Sequence, residues 1–283
     1  MHNMEIRYPE ADLHCHTTAS DGLLTPWELV RNAADLKLKA IGITDHDTIS
    51  GWDEAEKAGR IFGVDIIKGV ELNTDWSGVE VHILGYEIDP RKTVLQEKLR
   101  ELREARQIRI FKMIKKLQEL GIPISKSEVE EGSRGESIGR PHIAQILVEK
   151  GIVRSQGEAF DRFLVPGAPA FVPRMKITPE EGIRLIRQGG GVAVLAHPGI
   201  HSVEKGLPQW VKAGLQGIEV SHSEHSPAQE IKYKELAKKY GLLMTGGSDF
   251  HGEDRKPGVS LGKWGTSYNV VEELKKLAQM QHV

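Results

Sequence analysis

Histidines and carboxylates in this chain gather in short clusters that fall within or just after apolar runs. Seven groups stand out: Asp12-Leu13-His14-Cys15-His16, Thr44-Asp45-His46-Asp47, Gly69-Val70-Glu71, His82, Ala196-His197-Pro198, Glu219 with His222 and His225, and Asp249-Phe250-His251. Neutral imidazole and carboxylate suit zinc, manganese or iron, and one Asp or Glu can bridge two ions. In an extended segment the side chains at i and i+2 point the same way. His14 and His16 therefore face one site, and Cys15 faces away as a packed thiol. A lone strand-end histidine is more often a satisfied core or surface residue, and a lone Asp21-Gly22 is usually a turn. Seven such groups together would burden a sheet flanked by helices with too many polar atoms to satisfy, and shared metal ions resolve that. His2, His142, His201 and His282 stand outside the pattern and are read as bystanders.

To converge, these groups need strands that end on one face. Apolar runs at residues 40–43, 64–67, 79–84, 192–195, 217–220, 242–244 and 268–271 read as strands. Residues 26–38, 52–62, 179–188 and 227–240 carry apolar residues at helical spacing, with Pro or acidic residues in their first turns. This alternation predicts an α/β fold with parallel strands, whose carboxyl ends share a face. The pattern breaks over residues 91–170. Leu95, Leu99, Leu102, Ile110, Met113, Leu117 and Leu120 mark a long amphipathic helix there, followed by helical segments at 140–150 and 156–164. Residues 1–90 and 171–283 then form the metal-binding unit. Residues 91–170 form a helical insertion that is either structural cover or a lid over the active site.

At 283 residues and 39% hydrophobic, the chain can bury a real core. Its 38 basic and 40 acidic residues nearly balance, so no global basic field marks a nucleic-acid binder. One cysteine excludes an internal disulfide and a cysteine-rich zinc site, and fits a reducing compartment. No apolar run resembles a signal peptide or reaches the roughly 18 residues that span a bilayer. A cytoplasmic protein without membrane contact is expected. Neither a Gly-rich phosphate loop nor a Gly-x-Ser-x-Gly elbow occurs, which argues against a nucleoside-triphosphate enzyme and a serine hydrolase.

Taken together and in order, DLHCHTTASDG, GITDHDT, GVE, HILGY, LAHPG and GSDFHG resemble the polymerase and histidinol phosphatase (PHP) superfamily from Asp12 to His251. IGRPHIA and Ser223-Glu224-His225-Ser226 make the chain most similar to the branch containing nucleoside 3',5'-bisphosphate phosphatases and related 5'-to-3' exoribonucleases. The resemblance implies a distorted seven-stranded β/α barrel with a helical insertion and a centre of two or three divalent ions. It implies that His14, His16, Glu71 and Asp249 hold one ion, and that Glu71 bridges to a second completed by His82 and His197. Asp21, His46 and His251 would hold a third. Asp12 and Asp45 would orient neighbouring imidazoles, and His222 would be a neighbour of the site. By the same likeness Arg140 grips a substrate phosphate, His225 contacts phosphate or donates a proton, and both act with Asp249 in catalysis.

Two positions depart from the family pattern. Gly167-Ala168-Pro169 and His197-Pro198-Gly199-Ile200 lack a lysine and an arginine that relatives often carry, with Arg174 or Lys176 as candidate substitutes. The implied substrate is a small phosphorylated molecule, a nucleotide or a short RNA or DNA end, with no obligatory protein partner evident. A phosphatase for another phosphomonoester, such as histidinol phosphate, is the alternative within this chemistry. A non-catalytic metal- or partner-binding domain is the alternative outside it, and the nine retained ligand positions argue against it.

Overall fold

Val- and Ile-rich runs become strands and the intervening amphipathic segments become helices in this computed structural model, which describes residues 9–133, 137–173, 175, 177–201 and 203–281. His2, Arg174, Lys176 and His282 lie outside the described residues. The strands are β1 (Ala11–Cys15), β2 (Ala40–Ile43), β3 (Asp65–Trp76), β4 (Val79–Tyr86), β5 (Val192–Leu195), β6 (Gly217–His222) and β7 (Leu243–Gly247), and they lie side by side in chain order. His16 N donates to Phe250 O at 2.9 Å and Asp249 N to His14 O at 2.8 Å, so β7 returns to β1 and the sheet is a nearly closed barrel.

Glycines make the close approaches to β1 possible. A Cβ at Gly42 would sit 2.2 Å from Leu13 O, and one at Gly247 2.3 Å from His14 Cβ. Both neighbours of β1 can therefore press against the strand that carries His14.

The outer helices are α1 (Pro26–Asp35), α2 (Trp52–Phe62), α3 (Thr93–Glu119), α4 (Lys126–Ser133), α5 (Arg140–Glu149), α6 (Gln156–Ala159), α7 (Pro179–Gln188), α8 (Leu207–Ala213), α9 (Pro227–Tyr240) and α10 (Tyr268–Gln279). Thr25-Pro26, Thr178-Pro179 and Ser226-Pro227 each start a helix with a capping box closed by Glu28, Glu181 and Gln229. These caps fix where the chain turns after a strand, and hence where the loops between them lie.

Three expectations need correction. The strands are not all parallel: β4 pairs antiparallel with both β3 and β5. Ser77 and Gly78 both have positive φ, 54° and 92°, so a tight two-residue hairpin joins β3 to β4 and extends β3 far beyond residue 67. Residues 268–271 are the first turn of α10 rather than a strand, because the apolar spacing runs on through Val271, Leu274 and Ala278 onto one buried helical face. The extended Asp12–His16 region supplies the seventh strand instead. The long helix also serves two cores: Leu95, Leu99 and Leu102 pack with the barrel, whereas Ile110, Met113 and Leu117 pack with Ile143, Leu147, Phe163 and Leu164. Among the described residues no helix is long and apolar enough to cross a membrane.

Candidate metal centre

Glu71, in the middle of β3, is the hub. Its Oε1 lies 2.7 Å from His82 Nδ1 and 3.0 Å from His197 Nε2, and its Oε2 lies 3.0 Å from His46 Nδ1, 3.3 Å from His16 Nε2 and 3.5 Å from His14 Nε2. Because β4 is reversed, His82 enters from its amino-terminal half, opposite Asn73 of β3. On the other side of His14 and His16, Asp249 Oδ1 stands 3.4 and 3.2 Å from their Nε2 atoms. Asp21 Oδ1 lies 3.4 Å from His251 Nε2 and 3.8 Å from His16 Nδ1.

Four groups of converging donors occur among the described residues, three of them around Glu71 and His16: His14, His16, Glu71 and Asp249; Glu71, His82 and His197; and His16, Asp21, His46 and His251. The nine ligand positions implied by the resemblance all fall in these groups. Cys15, between the two histidines of β1, points into the apolar core.

The residues fit a metal. Among the described residues, His14 Nε2 and both ring nitrogens of His16 are buried without a hydrogen-bond partner, a costly state for polar atoms unless something else binds them. A tetrahedral ion with bonds of about 2.1 Å separates its ligands by about 3.4 Å. The His14 and His16 contacts to Glu71 and Asp249 are near that separation and long for hydrogen bonds. Backbone strain coincides with the centre, since His197 and Asp249 have φ of 25° and 56°.

Charge is concentrated here. Burial alone would push His16 and His82 below the usual imidazole range, but the Asp249 and Glu71 carboxylates raise His16 to about 10, and Glu71 and Glu80 raise His82 to about 9. Burial also opposes His14, which Glu219, Asp249 and Glu71 hold well above its ordinary value. Burial wins at His46 and His222, lowering each to about 3. Despite burial, neighbouring cations keep Asp21, Glu71 and Asp249 well below the ordinary carboxylate range.

Sequence reasoning misplaced the supporting carboxylates. Asp12 accepts from the backbone N–H groups of Ser248 and Gly262, both at 2.9 Å, and Asp45 accepts from Thr17 N, Thr17 Oγ1 and Ser20 Oγ at 2.8, 2.7 and 2.6 Å. They therefore hold loops rather than imidazoles. The carboxylate that orients an imidazole is Glu219, 3.1 Å from His14 Nδ1 and accepting His197 N at 2.8 Å. A register shift in β6 between Glu219 and Ser221 turns both Glu219 and His222 toward the site. With His14 these two form a further donor group. Glu219→Gln is expected to weaken metal affinity about 10- to 100-fold while leaving the fold intact. Metal titration of chelator-stripped protein measures this; unchanged affinity would remove Glu219 from the assembly.

Several cations also escaped the sequence reading. Lys256 bonds Asp249 Oδ2 and Glu224 Oε1, each at 2.7 Å. On α3, Arg106 pairs with Asp47, and Arg103 donates to Asp47 O at 3.2 Å. No local motif marks them; Arg103 and Arg106 are brought in by the distant α3, and Lys256 folds back from seven residues further along the same loop. Arg140 lies 3.7 Å from Glu80, whose other oxygen is 2.8 Å from His82 Nε2, so it stands one carboxylate away from the hub. His225 has no ring nitrogen to spare: Nδ1 donates to Val220 O at 2.8 Å and Nε2 accepts from Gly199 N at 3.1 Å. It ties two loops together, and this hydrogen bonding does not favour the role of proton donor. His142 is buried and caps α5, accepting from Gly139 N at 2.9 Å, and His201 lies off the donor groups.

Residues 12–131 match the PHP domain family. A 5'-3' exoribonuclease of Haemophilus influenzae is 37% identical over 85% of this chain and 89% of its own length. The chain belongs to the PHP family. A 3',5'-nucleoside bisphosphate phosphatase of Chromobacterium violaceum is 35% identical over 85% of this chain and 86% of its own length. A solved structure from Bifidobacterium adolescentis, provisionally assigned as a metal-dependent phosphoesterase, superposes with a TM-score of 0.88 at 34% identity, covering 96% of this chain and 98% of the other. The histidine–carboxylate clusters fit divalent-metal use, in keeping with that neighbour's description as metal-dependent.

Proposed function

We propose that this PHP protein hydrolyses phosphate monoesters of nucleotides, such as nucleoside 3',5'-bisphosphates, or the ends of short 5'-phosphorylated oligonucleotides. It is a metal-dependent phosphoesterase. The observation that carries this reading is the set of adjoining donor groups joined through Glu71 and His16. Relatives named as a bisphosphate phosphatase and a 5'-3' exoribonuclease support the nucleotide.

His14, His16, Glu71 and Asp249 would hold one ion, Glu71, His82 and His197 a second, and Asp21, His46 and His251 a third, with manganese, zinc or iron as candidates. Such ions supply Lewis acidity that acidifies water and neutralises charge on the phosphoryl oxygens. The protein's own share is positional. Glu219 fixes the His14 ring, Lys256 aims Asp249, and Arg140 offers a guanidinium that a phosphate can take over from Glu80. The second helical core, which starts in α3 and ends near Ala170, would cover the substrate as a lid, with Arg140 at the start of α5.

Phosphate release from adenosine 3',5'-bisphosphate, a short 5'-phosphorylated RNA and histidinol phosphate, with manganese and with chelator, tests this. Manganese-dependent turnover of the bisphosphate or the RNA is expected, with kcat/KM at least about 100-fold above that for histidinol phosphate. Preference for histidinol phosphate would overturn the substrate; no turnover of any phosphoester would overturn the activity.

A further inference from the structure

Arg255 sits in the loop after β7, next to Lys256, and differs from the other cations around the centre. Arg106, Arg140 and Lys256 each have a carboxylate beside them. Arg255 Nε and Nη1 are shut off from solvent and meet no hydrogen-bond partner among the described residues. Burying donors of a charged group without an acceptor is costly, so such an arrangement points to an acceptor that arrives with a ligand.

Its surroundings show where that ligand would lie. The Arg255 charge is close enough to act on Asp21 of the third donor group and on His142 at the start of α5. Ser137, just ahead of α5, donates its N–H to Ala19 O at 3.3 Å, and Ala19 is two residues from Asp21. The Ser137 hydroxyl is likewise buried without a partner among the described residues. Unsatisfied donors from the barrel loop and from the helical layer thus flank the same Asp21 loop.

These donors border the Asp21 loop and belong to none of the donor groups, so a second anionic group on a molecule bound at the centre would satisfy them. We propose that Arg255 is a specificity determinant that binds the uncleaved phosphate of a bisphosphorylated substrate, with the Ser137 hydroxyl as a further donor. A guanidinium suits this task because it can present two parallel N–H donors to phosphate oxygens. The inference rests on the phosphoesterase reading above, and its test separates the two.

Arg255→Gln and Arg255→Lys are compared with the wild-type holoenzyme on adenosine 3',5'-bisphosphate and on the 3'- and 5'-monophosphates. Arg255→Gln is expected to raise KM for the bisphosphate about 10- to 100-fold, the range for a lost charged hydrogen bond, with kcat held within about twofold. Turnover of the monophosphates should not change, and Arg255→Lys should recover part of the bisphosphate affinity. Equal losses on all three substrates, or no loss on the bisphosphate, would overturn the proposal. Equilibrium titration of the bisphosphate into chelator-stripped protein gives a second readout that needs no turnover. If the wild type cleaves no phosphoester, the proposed function fails, and this titration still decides the subsite: weaker binding to Arg255→Gln supports it and equal binding removes it.

Discussion

Glu71→Gln is expected to lower kcat/KM for the best phosphoester substrate by on the order of 1000-fold or more, and to reduce the number of ions bound. The magnitude follows from position. Losing a partner outside the ligand set costs 10- to 100-fold in metal affinity or activity, and losing one preorganised electrostatic group costs 100- to 1000-fold in rate. Glu71 faces five imidazoles with its two oxygens and belongs to two donor groups, so both effects apply at once. An amide keeps the shape and removes the charge. Without metal, the variant also leaves protonated imidazoles buried beside a neutral neighbour, for which a loss of about 3 kcal/mol in stability is expected. Metal analysis, steady-state kinetics and urea unfolding of the same preparation separate these effects. A variant that keeps its full metal content and activity would remove Glu71 from the centre.

Stripping the metal should make stability depend on pH in a particular direction. Burial disfavours the charged forms, yet the surrounding carboxylates raise His16 to about 10 and His82 to about 9, with His14 also well above its ordinary value. These groups bind their protons more tightly in the folded chain than in the unfolded one. Their contribution is full below about pH 6.5 and is lost as pH rises toward 9 to 10. His46 and His222, held near 3 by burial, act in the opposite sense: their contribution is present above about pH 6.5 and lost as pH falls toward 3. The depressed carboxylates Asp21, Glu71 and Asp249 add a further loss below about pH 4. Metal-free protein should therefore be most stable near about pH 6.5 and lose Tm toward about pH 9.5. Metal binding requires neutral imidazoles, so it should expel protons, bind more tightly as pH rises, and suppress the alkaline loss. Thermal melts with chelator and with manganese across this range measure it. A metal-free Tm that holds or climbs from pH 6.5 to 9.5 would contradict the charge arrangement.

Features carried by local periodicity are legible in the amino-acid sequence itself. The i, i+2 spacing of His14 and His16 places both on one face, and the helix starts at Thr25, Thr178 and Ser226 follow from capping chemistry that acts within four residues. The β4 reversal is signalled by Ser77-Gly78, but an apolar run by itself does not show strand direction. Glu219 and His222 lie three apart, which in a regular strand would set them on opposite faces. Only the local irregularity in β6 aims both inward. Arg106, Arg255 and Lys256 depend on how α3 and the loop after β7 are folded over the barrel, information that is distributed along the chain. His225 shows the converse: a histidine whose sequence setting suggests chemistry has both nitrogens committed to holding loops together.

The most direct test is anomalous-difference density from crystals of the full chain grown with manganese. The expected result is one peak among His14, His16, Glu71 and Asp249, a second among Glu71, His82 and His197, and a third among Asp21, His46 and His251. Protein that hydrolyses nucleotide phosphoesters while showing no peak beside Glu71 would contradict the metal-centre account.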